Sequence, residues 1–342
     1  MKKVFILPLL CLLTFVCSSC SDKEYITEVP PNELRPEITV IFTPNGLGDL
    51  GYNDLVLQGF QTIYQNNLFI KMYLYAPHSI QEAEDIFTDW IQRSTSQRSL
   101  CILATSDYEQ MVNNYFTQTD TLPKGKDVLL FENNNPHNLP ITTFRLSMYG
   151  ASYLAGVCAA TSTKGNALVV GGSSSDTSIQ SAFDGFTDGY KSITDDTPDT
   201  AFIASSYEGY AQPITAYHMM GRWSRTYSFI YPVAGGSNLG IYKFIRDYNP
   251  SVFTTGMDVD QSHLCNKITG SLIKRLDKLV AFYTNLWLSG NSMPRKAVYG
   301  LGSQFVDWTL APSYSEELEV ITNTYRDQAI QKEKEKENEY EY

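Results

Sequence analysis

Along the chain, short apolar runs alternate with segments in which apolar residues return every three or four positions. "EITVIFTP" is a β-branched run, the glycine-rich turn "NGLGDLGYND" follows it, and "LVLQGFQTIYQNN" then takes helical spacing. The same grammar recurs. "LFIKMYLYA" precedes "SIQEAEDIFTDWIQRS", "SLCILAT" precedes "DYEQMVNNYFTQ", and "DVLLFENN" leads through a loop to "TTFRLSMYGASYLAGVCAATS". A second series follows: "GNALVVGG" with "SIQSAFDGFTDGYKSI", "TAFIASSYEG" with "PITAYHMMGRWSRT", "YSFIYPVAGG" with "LGIYKFIRDY", and "VFTTGMDVDQ" before the helix predicted over "SLIKRLDKLVAFYTNLWL". Strands alternating with helices of about 10–15 residues predict parallel sheets with helices on both faces, and continuous runs such as "ALVV" fit strands buried on both sides. About eight such units exceed one ordinary doubly wound sheet, so the predicted fold is α/β in two lobes. The closing stretch "RDQAIQKEKEKENEYEY" is charged and poor in apolar residues; it reads as a frayed helix or disordered tail and receives no site.

Composition changes the picture mainly by exclusion. With 342 residues and 43% hydrophobic content the chain can bury a substantial core, and its net charge of -11 gives it no general attraction to phosphate backbones. Nucleic acid is therefore not an expected partner. Lys2 and Lys3 are followed by "VFILPLLCLLTFV", an apolar stretch of signal-peptide length that stops at "CSSC". This resembles a lipobox, with cleavage before Cys20 and acylation of its thiol, so a signal peptide over residues 1–19 and a polar, proline-rich lipidated tether over 20–36 are expected. The chain would then be anchored to a bacterial membrane, on the periplasmic or surface face of the outer membrane. Cys101, Cys158 and Cys265 are far apart and form no disulfide framework; buried small hydrophobes are the expected roles.

Signatures of enzyme chemistry are sparse. His78, His137, His218 and His263 are scattered, with neither H-E-x-x-H nor paired Cys/His spacing, so no metal or cofactor is expected. "GGSSSD", Gly171 to Asp176, lacks the lysine of a P-loop, and its serines read as turn or cap residues. In "AGGSNLG" a dinucleotide fingerprint fails by one residue: with Gly235 first and Gly240 sixth, Ser237 occupies the position of the middle glycine. The context of strand, tight turn and helix still directs backbone N–H groups at a ligand, and Asp258 ends the following strand where a carboxylate would accept hydrogen bonds from ribose hydroxyls. That geometry suits a sugar or nucleoside without redox chemistry. Glu132 closes "VLLFE" at another strand end, where it either lines the cleft or caps the next turn.

Taken together, "AGGSNLGIYKFI", "TGMDVDQ" and "TGSLIKRLD" resemble blocks of the basic membrane protein family of substrate-binding lipoproteins, which includes the purine nucleoside receptors. "GDLGYNDLVLQGF", "ASYLAGVCAA", "VVGG" and "FDGFTDGY" match further blocks of that family in order, so that the resemblance spans Ile38 to Val306. It implies a type I periplasmic binding protein fold, two lobes joined by crossing hinge strands with the ligand clamped between them. The implied boundaries are 37–145 plus 259–297 for lobe 1, 146–258 plus 298–325 for lobe 2, and 326–342 for the charged tail. It also implies ligand contacts from Asp49, Asn53 and the aromatic Tyr52, a second stacking ring at Tyr210, backbone groups at Gly235 and Gly236, the ribose-binding Asp258, and Lys274. Tyrosine stands at 52 where the family usually has phenylalanine, and Gln212 replaces an aspartate in the block around Tyr210. The implied function is non-enzymatic capture of a nucleoside-like ligand for uptake or sensing, with an ABC permease or a sensor as partner. Two other readings stay open: a hydrolase using Asp49 and Asp258 as acid and base, and a surface adhesin whose cleft has decayed.

Overall fold

A computed structural model describes residues 35–340 except 45 and 96; the signal peptide, Cys20 and nearly all of the tether lie outside the described residues. The first lobe opens with β1 (Glu37–Ile41), α1 (Tyr52–Asn66), β2 (Lys71–Tyr75), α2 (Ile80–Gln92), β3 (Ser99–Leu103), α3 (Glu109–Phe116), β4 (Lys126–Phe131) and β5 (Thr142–Leu146). The chain then crosses to the second lobe with α4 (Tyr149–Ser162), β6 (Ala167–Ser173), α5 (Gln180–Lys191), β7 (Asp199–Ala204), α6 (Pro213–Trp223), β8 (Phe229–Val233), α7 (Asn238–Tyr248), β9 (Phe253–Asp258) and β10 (Ile268–Lys274). It returns for α8 (Leu276–Leu288) and β11 (Ala297–Tyr299), and crosses a third time to β12 (Val306–Leu310) and α9 (Ser315–Tyr340). The sheets run β11-β5-β4-β3-β1-β2 and β12-β10-β9-β8-β6-β7, parallel throughout except for β12 against β10. Three crossovers between two doubly wound lobes are the type I periplasmic binding protein architecture, as expected.

Both sheets follow from the burial of their strands. β1, β3, β5, β6, β8 and β10 are buried at every position, the pattern of strands covered on both faces. Where the sequence predicts one helix from Ser271 onward, residues 268–274 form the central strand β10 and the helix starts at Leu276. The apolar spacing of "SLIKRLDKLV" satisfies a helix, but burial between β9 and β12 decides in favour of the strand. Residues 259–274 therefore belong to lobe 2, and 297–299 to lobe 1, which shifts the expected boundaries at both return crossings.

The second lobe is held by a close helix pair. The first eleven residues of α4 are all buried between α5 and α9, and a Cβ at Gly185 or Gly189 would lie 2.2 or 1.9 Å from the carbonyl oxygens of Tyr149 and Tyr153. The glycines let the two backbones touch. The segment from Arg326, read as a frayed helix or disordered tail, continues the helix α9, which begins at Ser315, packs on α4 and buries Ala329 and Glu333 within that segment. Among the described residues no helix is long and apolar enough to cross a membrane.

Candidate functional site

The carboxyl ends of β1, β3, β4, β6, β8, β9 and β10 converge between the lobes on a cavity of about 100 Å³, and Asp49, Tyr52, Asn53, Tyr210, Gly235, Gly236, Asp258 and Lys274 all line it. The lobes are closed over it: Gln261 Nε2 donates to the carbonyl oxygen of Leu50 at 3.3 Å across the mouth.

From lobe 1, the loop after β1 turns sharply, with Gly46, Gly48 and Leu50 at φ of 80°, 87° and 51°. Asp49 caps α1, accepting from the backbone N–H of Gly51 at 3.0 Å and of Asn53 at 2.9 Å. Asn53 is spent on the same loop, its Nδ2 donating to Thr43 Oγ1 at 2.8 Å and to the Gly46 carbonyl at 2.9 Å while its Oδ1 accepts from Thr43 N–H. Both residues shape the wall of the cavity from within. Asp49 has little free capacity left for a ligand, and burial raises its pKa. This weakens a hydrolase reading that needs Asp49 as acid or base. Tyr52 presents its ring, and its buried hydroxyl has no hydrogen-bond partner among the described residues.

Lobe 2 supplies the opposite wall. Gly235, at φ 52°, opens a one-turn 3₁₀ helix that runs into α7. Tyr210 lies on a second 3₁₀ turn, its ring so close to Gly172 that a Cβ there would sit 2.4 Å from it, and its hydroxyl donates to Asp176. Gln212 does not line the cavity: its side chain accepts from Thr215 Oγ1 at 3.0 Å, so the edge contact that an aspartate would make is not supplied from 212.

The floor is ionic. Asp258, 4% exposed and at φ 71°, places Oδ1 3.1 Å from Lys274 Nζ, which also stands 5.3 Å from the centre of the Tyr52 ring. Burial alone would depress Lys274, but Asp258 and then Glu132 outweigh it and hold the ammonium above its usual range. Glu132 is a further residue in the left-handed region, at φ 52°. One of its oxygens accepts from Leu146 N–H at the end of the neighbouring strand β5 at 2.9 Å, not from the turn that follows Glu132, while the other is buried without a partner. Of the two roles expected of it, it takes the lining one. Burial raises its pKa, against the pull of Lys274.

Two lining carboxylates escape the sequence reading. Asp107 follows β3, accepts from Thr105 Oγ1 at 3.2 Å, and is pushed up to about 6 by burial and by Asp176 opposite. Asp176, in a loop read as serine-rich capping, accepts from Tyr210 and from Ser178 N–H. The rule that ligands sit beyond the carboxyl ends of strands would have found Asp107, three residues past β3's apolar run. The cavity is thus lined by five carboxylates (Asp49, Asp107, Glu132, Asp176, Asp258) and one ammonium, and by no histidine. Such a balance repels phosphate and favours a neutral ligand rich in O–H and N–H donors.

Fold and site together define a two-lobed solute-binding protein. Residues 37–340 match the Bmp family, ABC transporter substrate-binding protein PnrA-like, and the chain belongs to that family. No curated protein sequence matches it. Among solved structures it is similar to an ABC transporter solute-binding protein from Aeropyrum pernix K1, at 15% identity and TM-score 0.66 over 87% of this chain and 89% of that one. It is also similar to a glucose-galactose binding protein from Geobacillus stearothermophilus, at 14% identity and TM-score 0.60 over 81% and 98%. A transcriptional activator of the comK gene from Bacillus halodurans matches at 16% identity and TM-score 0.59 over 85% and 97%. At these identities the structures establish the fold; the family establishes an ABC-type substrate-binding protein, with a small-molecule ligand and a permease as partner.

Proposed function

We propose that the ligand is a nucleoside, held between the rings of Tyr52 and Tyr210 with its ribose hydroxyls on Asp258, and that the chain is a non-enzymatic receptor anchored by lipid at Cys20 on a bacterial membrane, serving uptake or sensing. The observation that carries the nucleoside reading is the composition of the cavity: one tyrosine from each lobe above a paired, buried carboxylate and ammonium. Aromatic faces take the base, carboxylates accept from hydroxyls and ring N–H groups, and the surplus of carboxylates disfavours a 5′-phosphate. Closure by ligand follows from contacts made to both lobes at once, which only the closed state offers.

Thermal unfolding of the full chain in detergent, scanned against nucleosides, nucleotides, free bases and pentoses, tests the ligand. A nucleoside at a hundred times its dissociation constant adds about 2.7 kcal/mol, while the matching nucleotide adds none. A shift with pentoses alone, or with no compound on the panel, refutes it. The anchor is tested separately, by metabolic labelling with a clickable fatty acid: the label is expected on the wild type and absent from Cys20→Ala.

A further inference from the structure

The charged C-terminal helix makes contacts that a passive tail does not need. As far as Ala329 it is moored on lobe 2, where Leu318, Thr322 and Ala329 are buried, the Tyr325 ring lies 6.4 Å from that of Tyr153, and Arg326 donates to Asp307 of β12 at 2.9 Å. Beyond Ala329 it reaches the hinge. Glu333, 4% exposed, accepts from Gly150 N–H, just past the first crossover, at 2.8 Å and from Leu301 N–H, in the third crossover, at 2.7 Å.

The slot that receives this carboxylate is made by glycines. A Cβ at Gly300 would lie 2.1 Å from Glu333 Oε2, and one at Gly150 would lie 3.1 Å from the same carboxyl. One turn further on, Glu337 forms a two-pronged ion pair with Arg145 of β5, in the lobe 1 sheet, and accepts from Ser147 Oγ at 2.6 Å. Arg145 Nε in turn donates at 2.9 Å to Asn134 Oδ1, two residues from the cleft carboxylate Glu132.

We propose that α9 is a strap across the hinge: moored on lobe 2, it uses Glu333 and Glu337 to tie down the first and third crossovers, and so holds the closed arrangement and limits how far the lobes open. All of these bonds are formed while the lobes touch across the cleft. Opening rotates the lobes about these same crossovers, so strands tied to each other and to a rigid helix resist it. Because the bonds lie outside the cavity, the strap acts on the opening equilibrium whichever ligand is bound, and the proposal does not depend on the nucleoside reading.

The test measures lobe separation directly. In the full chain in detergent, nitroxide labels on Asp85→Cys of α2 and Ile214→Cys of α6, both exposed, report the distance between lobes, since Cys101, Cys158 and Cys265 are buried and take up little label. Without ligand, a stop after Gln331, which removes both glutamates and leaves the buried Leu318, Thr322 and Ala329, is expected to add a longer-distance population. The double variant Glu333→Gln/Glu337→Gln is expected to reproduce that population in the full-length helix. Should the truncated chain misfold, the double variant alone decides. A distance distribution unchanged in a folded variant, even with a lowered melting point, overturns the proposal and reduces α9 to packing on lobe 2.

Discussion

Replacing Lys274 by methionine removes one charge from the floor of the cleft and leaves two carboxylates behind. The ammonium stands 3.1 Å from Asp258 Oδ1, and both side chains are at least nine-tenths buried. At that separation and an effective dielectric of 20, the attraction is about 5 kcal/mol before the cost of desolvating both ions. Breaking a buried pair from one side costs about 3–5 kcal/mol, because the remaining charge has no solvent to replace its partner. Here Glu132, whose second oxygen already has no partner, loses its counter-ion too. Lys274→Met is therefore expected to lose about 3–5 kcal/mol of stability near pH 7.

The pH dependence gives this prediction its sign. Without the ammonium, nothing offsets the burial that already raises the folded-state pKa of Glu132 above its unfolded value. The folded variant then binds protons that the unfolded chain has released, and its stability rises as pH falls from 7 toward 5. Urea unfolding followed by circular dichroism at pH 5, 6, 7 and 8 measures both effects. Lys274→Met/Asp258→Asn is expected to recover part of the loss, since the two sites are in contact and their effects are not additive. A loss below about 1 kcal/mol for Lys274→Met, or a loss that is the same at every pH, would refute the view that this ion pair is a closed, desolvated unit.

Truncating the stacking rings is the direct test of the ligand's faces: Tyr52→Ala and Tyr210→Ala are each expected to weaken nucleoside binding by about 1–3 kcal/mol in titration calorimetry, with pentose binding unaffected. Asp107, pushed up to about 6, loses its carboxylate form as pH falls through that value, so affinity for a ligand that donates to it is expected to fall between pH 7 and 5, and Asp107→Asn flattens the profile. Gly236→Val puts a side chain where a Cβ already lies 3.7 Å from that of Asp49, and is expected to abolish binding in the same assay while leaving the melting point within a few degrees of wild type. At the strap, burial raises Glu333 from 4.5 to about 7; the folded chain therefore holds a proton that the unfolded chain loses, so its contribution to stability falls as pH rises from 4.5 to 7, by at most about 3 kcal/mol, and Glu333→Gln removes that slope in denaturant titrations.

Which of these residues the sequence exposes depends on how local their signal is. Asp258 and Glu132 are legible because each ends an apolar run, and a strand's carboxyl end is where an open α/β sheet meets its ligand. The turn at Gly235 and Gly236 is legible for the same reason. Asp49 and Asn53 are legible as polar residues opening a helix, but their direction is not: nothing in "GDLGYND" says that both side chains turn back onto their own loop. Lys274 is placed on the wrong element, since "SLIKRLDKLV" keeps helical spacing straight through a strand that only its burial between β9 and β12 reveals.

The last helix is the extreme case. In "QKEKEKENEYEY" Glu333 and Glu337 sit among other glutamates of the same appearance, and local pattern assigns all of them to solvent. What separates these two is a slot formed by Gly150 and Gly300 and an arginine at 145, between 33 and 192 residues away in sequence from the atoms they bind or meet. A carboxylate becomes structural here because two crossovers leave amide N–H groups buried and unpaired at one point of the hinge, and buried amides demand an acceptor. That demand is set by the meeting of two distant chain segments. Residues answering a local demand, at a strand end or a tight turn, can be named from sequence; those answering a demand created by the assembled hinge are visible only once the lobes are joined.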